Sequence, residues 1–132
     1  FNNPIVKNIF GERLLNYSLL RTVKSFKPDL IFMLKADNIE TKTLINIKKY
    51  DKNIKIINFY PDNPFTFWNG NSNANILLSL PVYDLFLIWA YQLIPILYSA
   101  GAKNVRYFPF GFDTSIYSQE LQISDTDHTK YK

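Results

Sequence analysis

The sequence predicts an α/β protein: a parallel sheet with helices on both faces. Two observations predict it. Four short apolar runs recur along the chain, "DLIFMLK" (29–35), "NIKIINFY" (53–60), "YDLFLIW" (83–89) and "NVRYFPF" (104–110). Segments with helical spacing precede and separate them, and such alternation marks parallel strands joined by right-handed crossovers. The 132 residues suffice for one domain with a core, and 47% hydrophobic with 17% aromatic residues excludes a disordered chain.

Each element has a local reason. Between Gly11 and Phe26, the residues Leu15, Leu19, Val23 and Phe26 recur at spacings of four, four and three, placing them on one helical face. Pro28 ends that helix, because the residue before a proline disfavours the helical region. The run 29–35 is almost continuously apolar, as in a strand covered on both faces. Asp37 and Glu40 have the spacing of an N-cap and its box partner, and a helix follows to about Tyr50 with Ile39, Leu44 and Ile47 inward. After the strand 53–60, the polar loop "FWNGNSN" (67–73) leads to a short helix over Ala74 to Ser79. A helix from about Gln92 to Ala100 follows the third strand. It carries Pro95 in its first turn and Gly101 at the left-handed C-cap position. The segment after Tyr117 is polar and turn-like, which makes 118–132 a linker.

Composition excludes several classes of function. The net charge is +4 and the pI about 9.2, but the lysines are scattered along the sequence. With no basic stripe and no recognisable motif, nucleic acid is not an expected partner. There is no cysteine, so disulfides and thiolate metal sites are excluded, which fits a cytoplasmic protein. The one histidine, His128, lies in the polar tail, and neither a histidine metal cluster nor a Ser-His-Asp triad is expected. Leu85 to Ala102 is uncharged over nearly the length of a membrane span. Gln92, Pro95, Ser99 and Gly101 interrupt it, and it divides into a strand and a helix, so no transmembrane segment is expected. The sequon "NYS" at Asn16 lies within a helical pattern and is read as accidental. The chain opens on "FNNPIV", without an initiator Met or a signal peptide's pattern, and is read as a fragment of something longer.

In open parallel sheets, ligands bind beyond the carboxyl ends of the strands. The four loops there offer Lys35, Ala36 and Asp37; Pro61, Asp62 and Asn63; Trp89 and Tyr91; and Gly111, Phe112 and Asp113. "YPDNPF" (60–65) delivers an acid and an amide to that edge between two prolines. A carboxylate there can accept hydroxyl hydrogens or a proton, although Asp and Asn also cap turns. Gly111 permits a tight turn after the last strand, and Asp113 either lines the edge or caps the next segment of chain. Tyr60, Phe65, Phe67 and Trp68 offer either a sugar-stacking platform or core. No glycine-rich phosphate loop is present.

Three stretches taken together, "KPDLIFMLKADNIETKTLINIKK", "IINFYPDNPF" and "YDLFLIWAYQLIPILYSAGAKNVRYFPFGFD", resemble the CgeB-like glycosyltransferases, the spore-maturation type, over roughly residues 12–117. The resemblance implies a Rossmann-like sheet that is part of the N-terminal, acceptor-side domain of a two-domain GT-B fold. Residues 1–117 would belong to that domain and 118–132 would lead towards a C-terminal domain outside this sequence. It implies a bacterial enzyme that moves a sugar from a nucleotide-sugar donor to a glycan, protein or small-molecule acceptor, with no cofactor or bound metal. Asp62 would be the catalytic, acceptor-side carboxylate facing the cleft, with Lys35, Asn63, Gly111 and Asp113 binding substrate. The chain departs from the family in one respect: many members carry a second acid beside the equivalent of Asp62, and here that neighbour is Asn63. Beside this reading stands a non-catalytic α/β ligand-binding or receiver-like domain. A receiver's order of Asp and Lys is not matched by Lys35 on the first strand and Asp62 after the second.

Overall fold

The computed structural model describes residues 4–66, 74–111 and 113, with side chains from Phe10 onward. The loop 67–73, including Phe67 and Trp68, together with Phe112, His128 and the linker 118–132, lies outside the described residues. Among the described residues eight α-helices and strands succeed one another: α1 (Pro4–Phe26), β1 (Leu30–Leu34), α2 (Thr41–Tyr50), β2 (Lys55–Tyr60), α3 (Ala74–Ser79), β3 (Leu85–Ile88), α4 (Ile94–Ser99) and β4 (Val105–Tyr107). The four strands form one sheet in the order β1-β2-β3-β4, and every pair is parallel. The α/β class and the parallel sheet are those the sequence predicts.

Register divides the strand residues into two faces. Met33, Asn58, Phe86 and Val105 form one continuous row across the sheet, and all four are buried. Ile56, Tyr60 and Ile88 share that face and are 0–1% exposed. Val23 of α1, Leu44 and Ile47 of α2, Ile76 of α3 and Leu97 of α4 join the same cluster. The next row, Leu34, Phe59, Leu87 and Arg106, points the other way and contains no buried residue. Leu30, Phe32 and Leu34 of β1 are 51%, 56% and 64% exposed.

The expected helix cover on both faces is thus present on one face only among the described residues. The physical reason is topological. When strands lie in sequence order and every crossover has the same hand, each connecting helix lands on the same side. The far face receives helices only where the strand order reverses, and within β1–β4 it does not.

Local boundaries show where tertiary contacts replace the expected caps. Asp37 does not cap α2. The helix begins at Thr41 after Glu40, and Glu40 makes no side-chain capping bond. Asn16 of α1 does that work from outside: its Oδ1 accepts from the Glu40 N–H at 2.9 Å, and its Nδ2 donates to the carbonyls of Asn38 and Glu12 at 2.8 Å each. Asn16 is buried and its side chain is engaged within the fold, in keeping with a sequon read as accidental. The stripe on α1 is only partly covered. Val23 is buried and Leu19 packs against the core, whereas Leu15 and Phe26 are 45% and 77% exposed, because α1 packs on α2 with no comparable seat on a strand.

The stretch 85–102 splits into β3, a single 3₁₀ turn over Tyr91–Leu93, and α4 with Pro95 in its first turn. No helix among the described residues is long and apolar enough to cross a membrane. After α4 the Ala102 N–H returns to the Leu97 carbonyl and the Gly101 N–H to that of Tyr98, at 3.0 Å each, the pattern of a Schellman motif. Gly101 has φ 101°, and a Cβ there would meet Pro81 Cγ at 3.3 Å, so both conformation and space favour glycine.

One ion pair fastens α2 to the sheet. Lys48 Nζ donates to Asp84 Oδ2 at 2.5 Å and to the Ile54 carbonyl at 2.7 Å, while Asp84 Oδ2 also accepts from the Ile56 N–H at 2.7 Å. Burial works to raise the Asp84 pKa, but the Lys48 and Ile56 hydrogen bonds outweigh it and hold the carboxyl below its ordinary value. A depressed carboxyl stabilises the fold above its unfolded pKa, and that contribution fades as pH falls through the folded value. Asp84→Ala is expected to cost about 2–3 kcal/mol at neutral pH and to shrink the acid-induced loss of stability. Urea melts across the acid range check both, and an unchanged acid limb would contradict the assignment.

Candidate functional site

The carboxyl rim of the sheet gathers charge where β1 and β2 end side by side. The Lys35 N–H is still in the ladder, donating to the Phe59 carbonyl at 2.8 Å. The backbone then turns through two successive left-handed residues, Lys35 at φ 66° and Ala36 at φ 64°. For residues with a Cβ this conformation costs about 1–2 kcal/mol each, so packing must hold it. Ala36 rests against the core, its carbonyl accepts from the Ile39 N–H at 3.1 Å, and the buried Asn58 Nδ2 donates to the Lys35 carbonyl at 3.1 Å. The same Nδ2 lies 3.2 Å from the Tyr83 hydroxyl, whereas Asn58 Oδ1 is buried without a partner. Asn58, a polar residue inside an apolar run, thus ties the middle of β2 to the turn that presents Lys35.

From that turn the Lys35 ammonium reaches Asp62 Oδ2 at 2.7 Å and Asp37 Oδ2 at 3.8 Å. The hydrogen bond to Asp62 raises the Lys35 pKa, burial opposes it, and the charges of Asp62 and Asp37 add to the rise. The Tyr60 hydroxyl donates to Asp37 Oδ1 at 3.0 Å. Burial, then the bond to Asp37, push the Tyr60 phenol far above its ordinary range. One ammonium therefore sits between two carboxylates beside a neutral phenol. The cluster carries net negative charge and offers oxygen lone pairs. That suits hydroxyl or ammonium donors better than a diphosphate.

The four residues of "PDNP" divide their roles. Asn63 caps the turn: its Oδ1 accepts from the Phe65 N–H at 2.9 Å, and its carbonyl accepts from the Thr66 N–H at 3.2 Å. Pro64 is buried. Asp62 is left to face Lys35, with about half of its side chain exposed. The turn-capping role is thus filled by Asn63, and the structure brings Asp62 and Lys35 together directly.

Gly111 and Asp113 come four and six residues after the end of β4, and both are exposed. Gly111 is not required by its backbone: its φ is not positive, and a Cβ there would meet nothing within 4 Å. Neither conformation nor space therefore demands glycine at this position. The chain leaving β4 folds over the uncovered sheet face, where Phe108 and Phe110 pack edge-on to Phe59 at 5.2 and 5.9 Å and Phe110 meets Trp89 at 6.1 Å. Of the aromatics expected as a stacking platform, Tyr60 is buried and Phe65 half-buried.

Spacing in the sequence gives Asp37 the role of a helix cap in this loop and gives Asn58 no role. An asparagine within "IINFY" is the signal that marks the latter. Beside the cluster, an open groove of about 440 Å³ runs along β1, which is an edge strand among the described residues, with Leu15, Leu19, Ile31 and Met33 on its walls and Lys35 and Asp37 at one end. Among the described residues no three His, Cys, Asp or Glu side chains gather as metal ligands.

Comparison with protein-family models, curated proteins and solved structures returns no match for this chain.

The Lys35–Asp62 pair is half-exposed, so its contribution to folding is small. Asp62→Asn is expected to change stability by less than about 1 kcal/mol and to return the Lys35 ammonium towards its ordinary pKa. A raised lysine pKa stabilises below the unfolded value and loses that effect as pH rises through the folded one. Any difference from the parent therefore disappears at high alkaline pH. Thermal melts and NMR titration of the lysine ammonium check this. A large neutral-pH destabilisation would make Asp62 a structural residue.

Proposed function

We propose that this chain is the acceptor-side part of a CgeB-like GT-B glycosyltransferase, acting on a nucleotide-sugar donor held mainly by another part of the enzyme. The observation that carries the reading is the Asp62–Lys35–Asp37 cluster at the carboxyl rim of the parallel sheet, net negative and rich in hydrogen-bond acceptors. It supports a place for a hydroxyl-bearing acceptor rather than for the donor's diphosphate. In the proposed reaction the acceptor hydroxyl gives its proton to Asp62, its oxygen bonds to the anomeric carbon, and the nucleoside diphosphate departs with the electrons of the broken bond. Lys35 holds Asp62 in place until the hydroxyl replaces it as hydrogen-bond partner. Asn63 shapes the turn, and Gly111 and Asp113 line the far side of the same rim.

The second reading is a non-catalytic ligand-binding domain. It is favoured by the engagement of Asp62 with Lys35, since a carboxylate already paired is less free to take a proton.

Kinetics of the intact enzyme separate the two. Asp62→Asn is expected to lower kcat by about a hundredfold or more while donor affinity, measured by calorimetry, stays within about twofold. The chain alone is expected not to transfer sugar, because catalysis needs donor and acceptor held together. Unchanged turnover in Asp62→Asn would remove the catalytic role, and weakened donor binding alone would move the residue to the other substrate.

A further inference from the structure

The amino-terminal rim of the sheet, opposite the candidate site, collects seven of the twelve lysines that are scattered in the sequence. The helix-to-strand connections all end there. The end of α1 brings Lys24 and Lys27, the end of α2 brings Lys48, Lys49 and Lys52, Lys55 opens β2, and Lys103 precedes β4. Among the described residues the acids on these connections are Asp29, Asp51 and Asp84. Seven lysines against three aspartates leave an excess of four positive charges, as large as the net charge of the whole chain.

The rim is contiguous. Lys48, Lys49, Lys52 and Lys103 line one open pocket together with Asp84, Ile45, Pro81 and Val82. The Tyr50 hydroxyl donates to the Lys24 carbonyl at 3.4 Å and links this group to the end of α1. Of these lysines, Lys48 is committed to an acid, through Asp84. Apolar side chains project among the lysines: Phe26 is 77% exposed, Tyr50 43% and Ile45 39%.

We propose that this rim is a docking surface for an anionic lipid bilayer, which holds the protein at the membrane with its carboxyl rim facing the aqueous phase. Clustered lysines near an anionic headgroup layer each add to binding, and an aromatic or aliphatic side chain among them enters the interface. Two observations favour lipid over nucleic acid. The rim is formed by short connections at the ends of packed helices rather than by a groove that tracks a phosphate backbone. The exposed apolar residues lie between the lysines, where a bilayer takes them up. The surface owes nothing to the cluster at Lys35 and stands independently of the function proposed for it.

Vesicle flotation with the full chain tests this, using phosphatidylcholine vesicles and vesicles with about a third phosphatidylglycerol, at about 0.1 M salt. The chain is expected to float with the anionic vesicles only, and to be released as salt rises. Lys49→Gln with Lys52→Gln is expected to weaken partitioning about tenfold or more, and Phe26→Ser to weaken it further. All three positions are exposed, so circular dichroism of the variants should match the parent. Equal binding to neutral vesicles, no binding to anionic ones, or partitioning unchanged by Lys49→Gln with Lys52→Gln would each overturn the proposal. So would release from anionic vesicles by a stoichiometric amount of single-stranded oligonucleotide, which would assign the rim to nucleic acid.

Discussion

Every feature of this molecule depends on one constraint: four strands run the same way and lie side by side in the order they occur. Parallel pairing cannot be closed by hairpins, so each strand must lead into a crossover that returns the chain to the starting rim. All strand-to-helix turns then open at one rim and all helix-to-strand turns at the other. Lys35 and Asp62 meet because β1 and β2 are neighbours ending together, although 27 positions separate them in the chain. The lysines at the ends of α1 and α2 and before β4 share the opposite rim for the same reason. The order also confines the crossover helices to one face, which leaves Leu30, Phe32 and Leu34 uncovered while Phe108 and Phe110 lie against Phe59.

Electrostatics at the two rims differ in kind. At the amino-terminal rim, the Lys48–Asp84 pair is partly buried and satisfied by backbone groups at Ile54 and Ile56, so it fastens α2 to the sheet. At the carboxyl rim, Lys35 and Asp62 are half-exposed and make a weaker bond that a ligand can replace. The buried face beneath the second pair holds the turn that presents Lys35, where Asn58 donates to the Lys35 carbonyl, and the Tyr60 hydroxyl fixes Asp37. Two left-handed residues at that turn are a conformational cost borne where the side chains of the cluster are presented.

Much of the fold is legible in the sequence because it is written in short-range pattern. The apolar runs become β1–β4, Ala74 to Ser79 is the helix expected there, and Gly101 takes the positive φ that its place after α4 implies. The misses arise where a distant residue supplies what a neighbour is expected to supply. Asp37 has the spacing of a cap, yet Asn16 from another helix serves the Glu40 N–H, and Asp37 turns to Tyr60. Leu15 and Phe26 fit the stripe of α1 but not the seat that α2 provides. Of the candidate site, Asp62 and Lys35 are both expected at the rim from the topology. Their contact, and the transfer of turn-capping to Asn63, depend on side-chain geometry that spacing does not encode. The separation of lysines to one rim is invisible for a related reason: in sequence they are spread from 24 to 103, and only the return of each crossover brings them together.

The segregation of charge between two rims is the most direct consequence of the parallel order, and zero-length carbodiimide coupling reads it. This reagent joins a lysine to a carboxylate only where the two touch. Peptide mass spectrometry of the coupled chain should show Lys35 joined to Asp62 and Lys48 joined to Asp84, one link at each rim. A product joining Lys35 to Asp29, Asp51 or Asp84 would place it at the opposite rim and contradict the one-way sheet on which both rims depend.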